Sequence, residues 1–193
     1  MSPEAVVRCQ WAVRYPELVD YHDNVWGRST HNDREIFAAY GQCILHAGLL
    51  WTALLRKRAI FAHAFDDWEV AKVARYDGAE IDRLVHTEGM IRNFQKINAV
   101  IHNAARFQEV QREFGSFAEY VWRFTDGEVL ACECRDGYTC SVGRTEAATL
   151  AADLKRRGFK FAGPATAYGL MEDIGMVNDH DRRCFRAVKP EIE

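Results

Sequence analysis

One apolar period constrains this chain more than any other feature. From Asn32 to Arg58, apolar residues fall at Phe37, Tyr40, Ile44, Ala47, Trp51 and Leu55, a 3.6-residue spacing held over more than six turns. That spacing gathers them on one side of a helix. Asn32, with Glu35 three residues later, reads as the helix start. The same period predicts helices over 67–76 and 79–87. After Gly89 it predicts a long helix over 94–114, with Ile97, Val100, Ile101, Ala104 and Phe107 on one face. Further helices are expected over 116–124, 145–157 and 164–175. Residues 125–144 are polar and turn-like, holding Asp126-Gly127 and Asp136-Gly137. Strand alternation is nowhere sustained. The chain reads as all-α, a single domain over 1–193 with one irregular segment near its middle.

Composition excludes several classes. Charged residues at 27% and aromatics at 12% are ordinary for a globular protein and rule out wholesale disorder. No apolar run approaches the ~20 residues needed to span a bilayer, and the start, MSPEAVVRCQW, lacks the pattern of a signal peptide. A cytoplasmic protein with no membrane partner is expected. A net charge of −3 does not advertise a nucleic-acid binder, but a local basic patch matters more than the total.

The six cysteines, at 9, 43, 132, 134, 140 and 184, are not expected to form a disulfide framework in such a compartment. His180 and Cys184 stand one helical turn apart, a separation that suits two ligands of one tetrahedral ion. Cys9 and His22 would complete a Cys2His2 set from the other end of the chain, stapling the two terminal segments together. Asp23 and Asp179 each neighbour one of these histidines and could orient an imidazole. Four unrelated residues are the plainer reading. Cys132, Cys134 and Cys140 with His102 form a competing set whose C-x-C spacing is weaker support.

Residues 84–97, LVHTEGMIRNFQKI, read as two helices joined by a tight turn at Gly89. Such a turn can aim the backbone N–H groups of the second helix at a phosphate, with Arg92 and Lys96 adding charge. An ordinary corner with solvated charges is the plainer reading. Lys155-Arg156-Arg157-Gly158-Phe159-Lys160 reads as the basic last turn of a helix capped by Gly158, or as a second phosphate patch.

The segments R-C-x-W (8–11), YHDNVWG (21–27), AGLLW (47–51), LLRKR (54–58), GMIRNFQKI (89–97), LKRRGFKFAGP (154–164) and GMVNDH (175–180) occur in this order. Together they resemble the DNA-3-methyladenine glycosylase I family, of the helix-hairpin-helix DNA glycosylase superfamily, over about residues 7–186. The resemblance implies an all-helical, two-lobed fold with a lesion pocket between the lobes and the hairpin within 79–114. It implies one structural zinc on Cys9, His22, His180 and Cys184, tying segments 7–27 and 175–186. It implies a monomer acting on double-stranded DNA that contains alkylated bases, contacted by Gly89, Arg92, Asn93, Lys96 and Lys160. Trp11, Tyr21 and Trp51 match the family's pocket aromatics, and Trp26 lies close in sequence. Core packing is the plain alternative for each.

The implied chemistry is simple in outline. An alkylated purine such as 3-methyladenine is cationic, and its bond to the sugar is already weak. The enzyme must flip the nucleotide out, at a few kcal/mol of unstacking. Aromatic faces offset that cost by stacking and by about 0.5–2 kcal/mol of cation–π attraction.

The chain departs from the family pattern in one wall. Where the family usually reads L-E-G-x-Q-A-G-L-S-W, Cys43 takes the Glu position, His46 the Gln position and Leu50 the Ser position. At helical spacing these three share one face. The family's Glu hydrogen-bonds the excised base, and a charged hydrogen bond is worth about 1.5–3 kcal/mol. The pocket is therefore expected to lack its acid. Either His46 makes the polar contact, or the pocket takes other or bulkier alkylated bases, or the scaffold only binds damage. A Cys43 thiolate would restore the charge if its pKa were depressed. Cys43 and His46 are the catalytic candidates, and Trp11, Tyr21, Cys43, His46, Leu50 and Trp51 the expected pocket.

Overall fold

The computed structural model describes residues 6–132 and 141–188. Cys134, Cys140 and the expected Asp136-Gly137 turn lie outside the described residues. Ten α-helices are described in order: α1 (Pro16–Asn24), α2 (Asp33–His46), α3 (Trp51–Leu55), α4 (Arg58–Ala64), α5 (Val70–Val73), α6 (Gly78–His86), α7 (Phe94–Phe114), α8 (Phe117–Trp122), α9 (Arg144–Arg156) and α10 (Pro164–Asp173). Short 3-10 turns cover Ala12–Arg14, Asp66–Trp68 and Arg123–Thr125. One small strand pair escaped the sequence reading. Strand β1 (Leu130–Ala131) pairs in parallel with β2 (Val177–Asn178), Leu130 opposite Val177. Two residues per strand are too few for alternation to register.

Side-chain caps set the helix starts. The Asn32 carboxamide accepts from the Arg34 and Glu35 N–H groups, Asp77 caps α6, Asn93 caps α7 and Ser116 caps α8. Each such cap stabilises its helix by about 1 kcal/mol. Glu35 does not reach back to Asn32; its carboxylate accepts instead from the Thr30 hydroxyl. Asp33 spans farther. Its two oxygens accept from the Phe117 and Ala118 N–H groups at 2.9 and 2.8 Å, fastening the start of α8 to α2.

The continuous helix expected over 32–58 is two helices. α2 ends at His46, Gly48 turns the chain at φ +79°, and α3 begins at Trp51. The period misleads because Ala47, Trp51 and Leu55 keep the spacing across the break. Lys96 stabilises the break, since its ammonium donates to the Leu45 and Ala47 carbonyls at 2.7 and 2.6 Å. Those are carbonyls that a helix end leaves without partners. The helix expected over 67–76 is likewise a 3-10 turn followed by the short α5.

Apolar side chains form two clusters. The larger draws buried residues from every helix from α2 to α10, with Phe107 and Phe117 stacked at 3.8 Å. The smaller holds Cys9, Ala12, Leu18, Tyr21, Trp26, Leu55 and Cys184. Trp51 packs against both. Among the described residues, no helix is long and apolar enough to cross a membrane.

Candidate active site and metal-ligand cluster

A cavity of about 620 Å³ opens where the two clusters meet. The small cluster supplies Trp11, Tyr21 and Trp26, the end of α2 supplies Cys43 and His46, α3 supplies Trp51, and α10 supplies Glu172 and Asp173. The aromatic rings brace one another. Tyr21 and Trp51 meet edge to face at 5.2 Å, Trp11 and Trp26 at 5.0 Å, and His46 and Trp51 at 4.6 Å. Such contacts fix the rings and leave faces on the cavity.

The cavity's electrostatics differ from the sequence expectation. Cys43 is not a thiolate: burial, then the neighbouring Asp173 carboxylate, push its pKa well above the ordinary thiol range. His46 is driven the other way. Burial lowers its pKa from 6.5, leaving a neutral imidazole at neutral pH. Two acids nevertheless line the cavity, both from α10. The Tyr21 hydroxyl donates to Asp173 Oδ1, and the Cys43 thiol donates to Asp173 Oδ2 at 3.6 Å. Burial raises Asp173 to about 6, while its neighbour Glu172 is raised to about 8, by burial first and then by Asp179 and Asp173. At neutral pH Asp173 is therefore mostly ionised and Glu172 mostly protonated. Sequence reasoning missed both. The available signal was Glu172-Asp173 inside the otherwise apolar run Leu170 to Val177, a poor place for solvated charges.

The other expected pocket and DNA residues divide. Trp11, Tyr21, Cys43, His46 and Trp51 all line the cavity. Leu50 does not: because α2 stops at His46, Leu50 leaves the Cys43–His46 face and stands 77% exposed in the turn, beside exposed Leu49. Lys96 is no phosphate contact, for it is only 7% exposed and its ammonium is committed to two carbonyls. Arg92 and Lys160 are exposed. Asn93 uses its side chain as the α7 cap. Gly89 adopts φ +77°, and a Cβ there would sit 2.6 Å from Ile60 Cδ1, so both conformation and space require glycine. Its carbonyl accepts from the Lys57 ammonium at 2.6 Å. In the second basic stretch, Gly158 ends α9 at φ +84°, and Arg157 is tied to Glu113 and Asp153.

The ligand atoms of Cys9, His22, His180 and Cys184 all lie within 4.8 Å of one another, and all four residues are buried. His22 Nε2 is 3.2 Å from His180 Nδ1 and 3.3 Å from Cys184 Sγ; Cys9 Sγ and Cys184 Sγ lie 3.5 and 3.6 Å from His180 Nδ1. Tetrahedral bonds of ~2.0 Å to nitrogen and ~2.3 Å to sulfur give ligand–ligand edges of about 3.3–3.8 Å. The donors fit such an ion, and the group could hold a metal. His22 Nδ1 pairs with Asp23 Oδ1 at 2.8 Å, and Arg8 grips the same carboxylate at 2.7 Å, so the imidazole is oriented from behind. Asp179 does not do the same for His180: one of its oxygens is buried without a hydrogen-bond partner among the described residues. Instead the Asp181 N–H donates to Cys9 Sγ at 3.2 Å and the Arg186 N–H to Cys184 Sγ at 3.4 Å. His102, of the competing set, bonds the Gly158 carbonyl at 2.9 Å.

The chain is similar to known proteins over most of its length. The sequence pattern of the methyladenine glycosylase family fits residues 11–187. The DNA-3-methyladenine glycosylase 1 of Escherichia coli (strain K12) is 31% identical over 177 residues, covering 92% of this chain and 95% of the relative. The DNA-3-methyladenine glycosylase of Haemophilus influenzae is 28% identical over the same length, covering 92% and 96%. Among solved structures, the 3-methyladenine DNA glycosylase I of Staphylococcus aureus, described for its recognition of 3-methyladenine, superposes with a TM-score of 0.87 at 30% identity, over 95% of this chain and 98% of that one. With both the family pattern and the relatives spanning nearly its whole length, this chain belongs to the methyladenine glycosylase family, whose named members are DNA glycosylases that remove an alkylated base.

Proposed function

We propose that this DNA glycosylase excises 3-methyladenine-like purines from double-stranded DNA, after rotating the damaged nucleotide out of the duplex into the cavity described above. The observation that carries this reading is the aromatic cavity itself, walled by Trp11, Tyr21 and Trp51 with the Asp173 carboxylate among its lining groups. A flat cation stacks on such walls, at about 1–3 kcal/mol per base, and the carboxylate favours its charge.

The alkylated base is already a good leaving group. Its glycosidic bond breaks with the electron pair going to the base, which leaves neutral. Water then adds its oxygen to the sugar carbon and releases a proton. No lysine lines the cavity among the described residues, and Lys57 and Lys96 are each held on backbone carbonyls. Water rather than an amine is therefore the nucleophile, and the product is an abasic site with an intact strand.

Gly89, Arg92 and Asn93 at the turn before α7 suit a backbone phosphate, and exposed Lys160 adds a further charge. Leu49 and Leu50, exposed in the turn between the cavity-lining Gly48 and Trp51, suit a wedge that fills the stack vacated by the flipped base. One zinc held by Cys9, His22, His180 and Cys184 would join the two terminal segments. It would be structural, because all four positions are filled by protein. The enzyme acts as a monomer in the cytoplasm on this reading, as one domain.

One observation favours a wider lesion range. Cys43 is smaller than the Glu of the family pattern and leaves more of the cavity open. The decisive experiment incubates the protein with a panel of alkylated duplexes and identifies released bases by chromatography. Release of 3-methyladenine above the spontaneous rate is expected. No modified base above that rate would reject the proposed activity.

A further inference from the structure

The carboxylate that the sequence lacks on α2 is present on another helix. We propose that Asp173, at the end of α10, is the residue that reads the damaged base, selecting a cationic purine that presents an N–H edge.

Asp173 lines the cavity between Tyr21 and Cys43. Each of its oxygens accepts one hydrogen bond, from the Tyr21 hydroxyl and from the Cys43 thiol. Each therefore keeps accepting capacity for a ligand. Both donors are neutral, and no Lys or Arg forms an ion pair with Asp173 among the described residues. Arg58 lowers its pKa by charge alone. Buried charges ordinarily persist only where something pairs with them. A cation that also stacks would pair with Asp173, because the cavity around the carboxylate is walled by aromatic rings. Cys43 cannot supply the charge, since its thiol stays protonated. Glu172 carries little of it at neutral pH, with its pKa at about 8. Asp173 alone among the cavity's acids combines position and charge. With Cys43 at the position where the family pattern has an acid, the negative charge sits instead on the adjoining α10, 3.6 Å from the thiol. The thiol is small enough to leave the carboxylate room and polar enough to donate to it.

This inference rests on the proposed excision of alkylated purines, and the test separates the two. The full-length protein is assayed for release of 3-methyladenine from methylated duplex, for binding of free 3-methyladenine by tryptophan quenching, and for affinity to a duplex with an abasic-site analogue. Asp173→Asn is expected to weaken release and free-base binding by at least about tenfold, the scale of one charged hydrogen bond. Abasic-site affinity should hold, and melting temperature should not fall. Tyr21→Phe, which removes only the hydroxyl, should cost less than about threefold. Cys43→Glu added to Asp173→Ala should recover most of the lost binding, because the charge returns from the adjoining helix α2. Asp173→Asn within twofold of wild type overturns the proposal. So does Tyr21→Phe losing as much as Asp173→Asn, which would reduce Asp173 to a prop for the phenol. A folded double variant with no recovery overturns it as well. If wild type releases the base and Asp173→Asn releases it equally, only this inference fails. If wild type neither binds nor releases any alkylated purine, the excision reading fails and takes this inference with it.

Discussion

The Tyr21 hydroxyl donates to Asp173 Oδ1, joining α1 of the small cluster to α10 of the large one. The bond fixes the phenol so that its ring remains on the cavity, and it places a carboxylate between the two clusters. Stability and ligand attraction pull on that carboxylate in opposite directions.

Folding raises the Asp173 pKa from 3.8 to about 6, with burial the largest cause. Tyr21 from α1 and Cys43 from α2 donate to it, Arg58 in α4 draws it down without offsetting burial, and Glu172 lies beside it on α10. Between those two values the folded protein holds a proton that the unfolded chain has released. This group's contribution is most favourable below about pH 4 and is lost as pH rises through about 6. Asp173→Asn should therefore melt about 2–4 °C above wild type at pH 7.5, with the gap closing near pH 4. Free-base affinity of wild type should move oppositely, rising through about pH 6 as the carboxylate ionises. Calorimetry and quenching titrations over pH 4–8 read both.

The aromatic walls give a second expectation. Trp11 is half-buried, with its ring against Trp26 and Tyr21. Trp11→Ala should lower 3-methyladenine release about tenfold to a hundredfold, the loss of one stacking face. Affinity for an abasic-site duplex, which offers no base to stack, should change little. Equal losses in both assays would assign Trp11 to packing.

Much of this was legible before any coordinates. The long α7, the turn at Gly89 and the convergence of Cys9, His22, His180 and Cys184 follow from period, spacing and the ordered motifs. Failures share one physical origin. The sequence shows which face a residue occupies along its own helix, not which side chain arrives from elsewhere. Lys96 read as a surface charge because nothing local reveals that Leu45 and Ala47 wait with unpaired carbonyls. Asp173 read as nothing because its partners, Tyr21 and Cys43, lie 152 and 130 residues away. Leu50 was misassigned because apolar spacing ran unbroken across a turn.

Lys96 and Arg92 should now separate cleanly. Lys96→Met leaves the Leu45 and Ala47 carbonyls unpaired, at about 1–3 kcal/mol for each buried group. A lower melting temperature is expected, with the salt dependence of DNA binding unchanged. Arg92→Ala should leave melting intact, weaken binding to all duplexes alike and reduce the salt slope by about one. Titrations at several salt concentrations distinguish these outcomes. A lowered slope for Lys96→Met would return that residue to the DNA interface.

The metal cluster yields the last expectation. Elemental analysis should find one equivalent of zinc in protein purified without chelator. Cys184→Ala should lose it, because the three remaining donors leave the tetrahedron open. Chelation should lower the melting temperature, since a crosslink between segments more than 150 residues apart (His22 to His180 spans 158) restrains the unfolded chain strongly. Arg8→Ala is the finer probe. It leaves all four donors but frees Asp23 from its 2.7 Å clamp, so the His22 imidazole is held less firmly. Zinc affinity should then fall about tenfold, while stoichiometry at saturating zinc stays at one. A Cys9→Ala/Cys184→Ala double variant that still retains stoichiometric metal would overturn the assignment of these four residues.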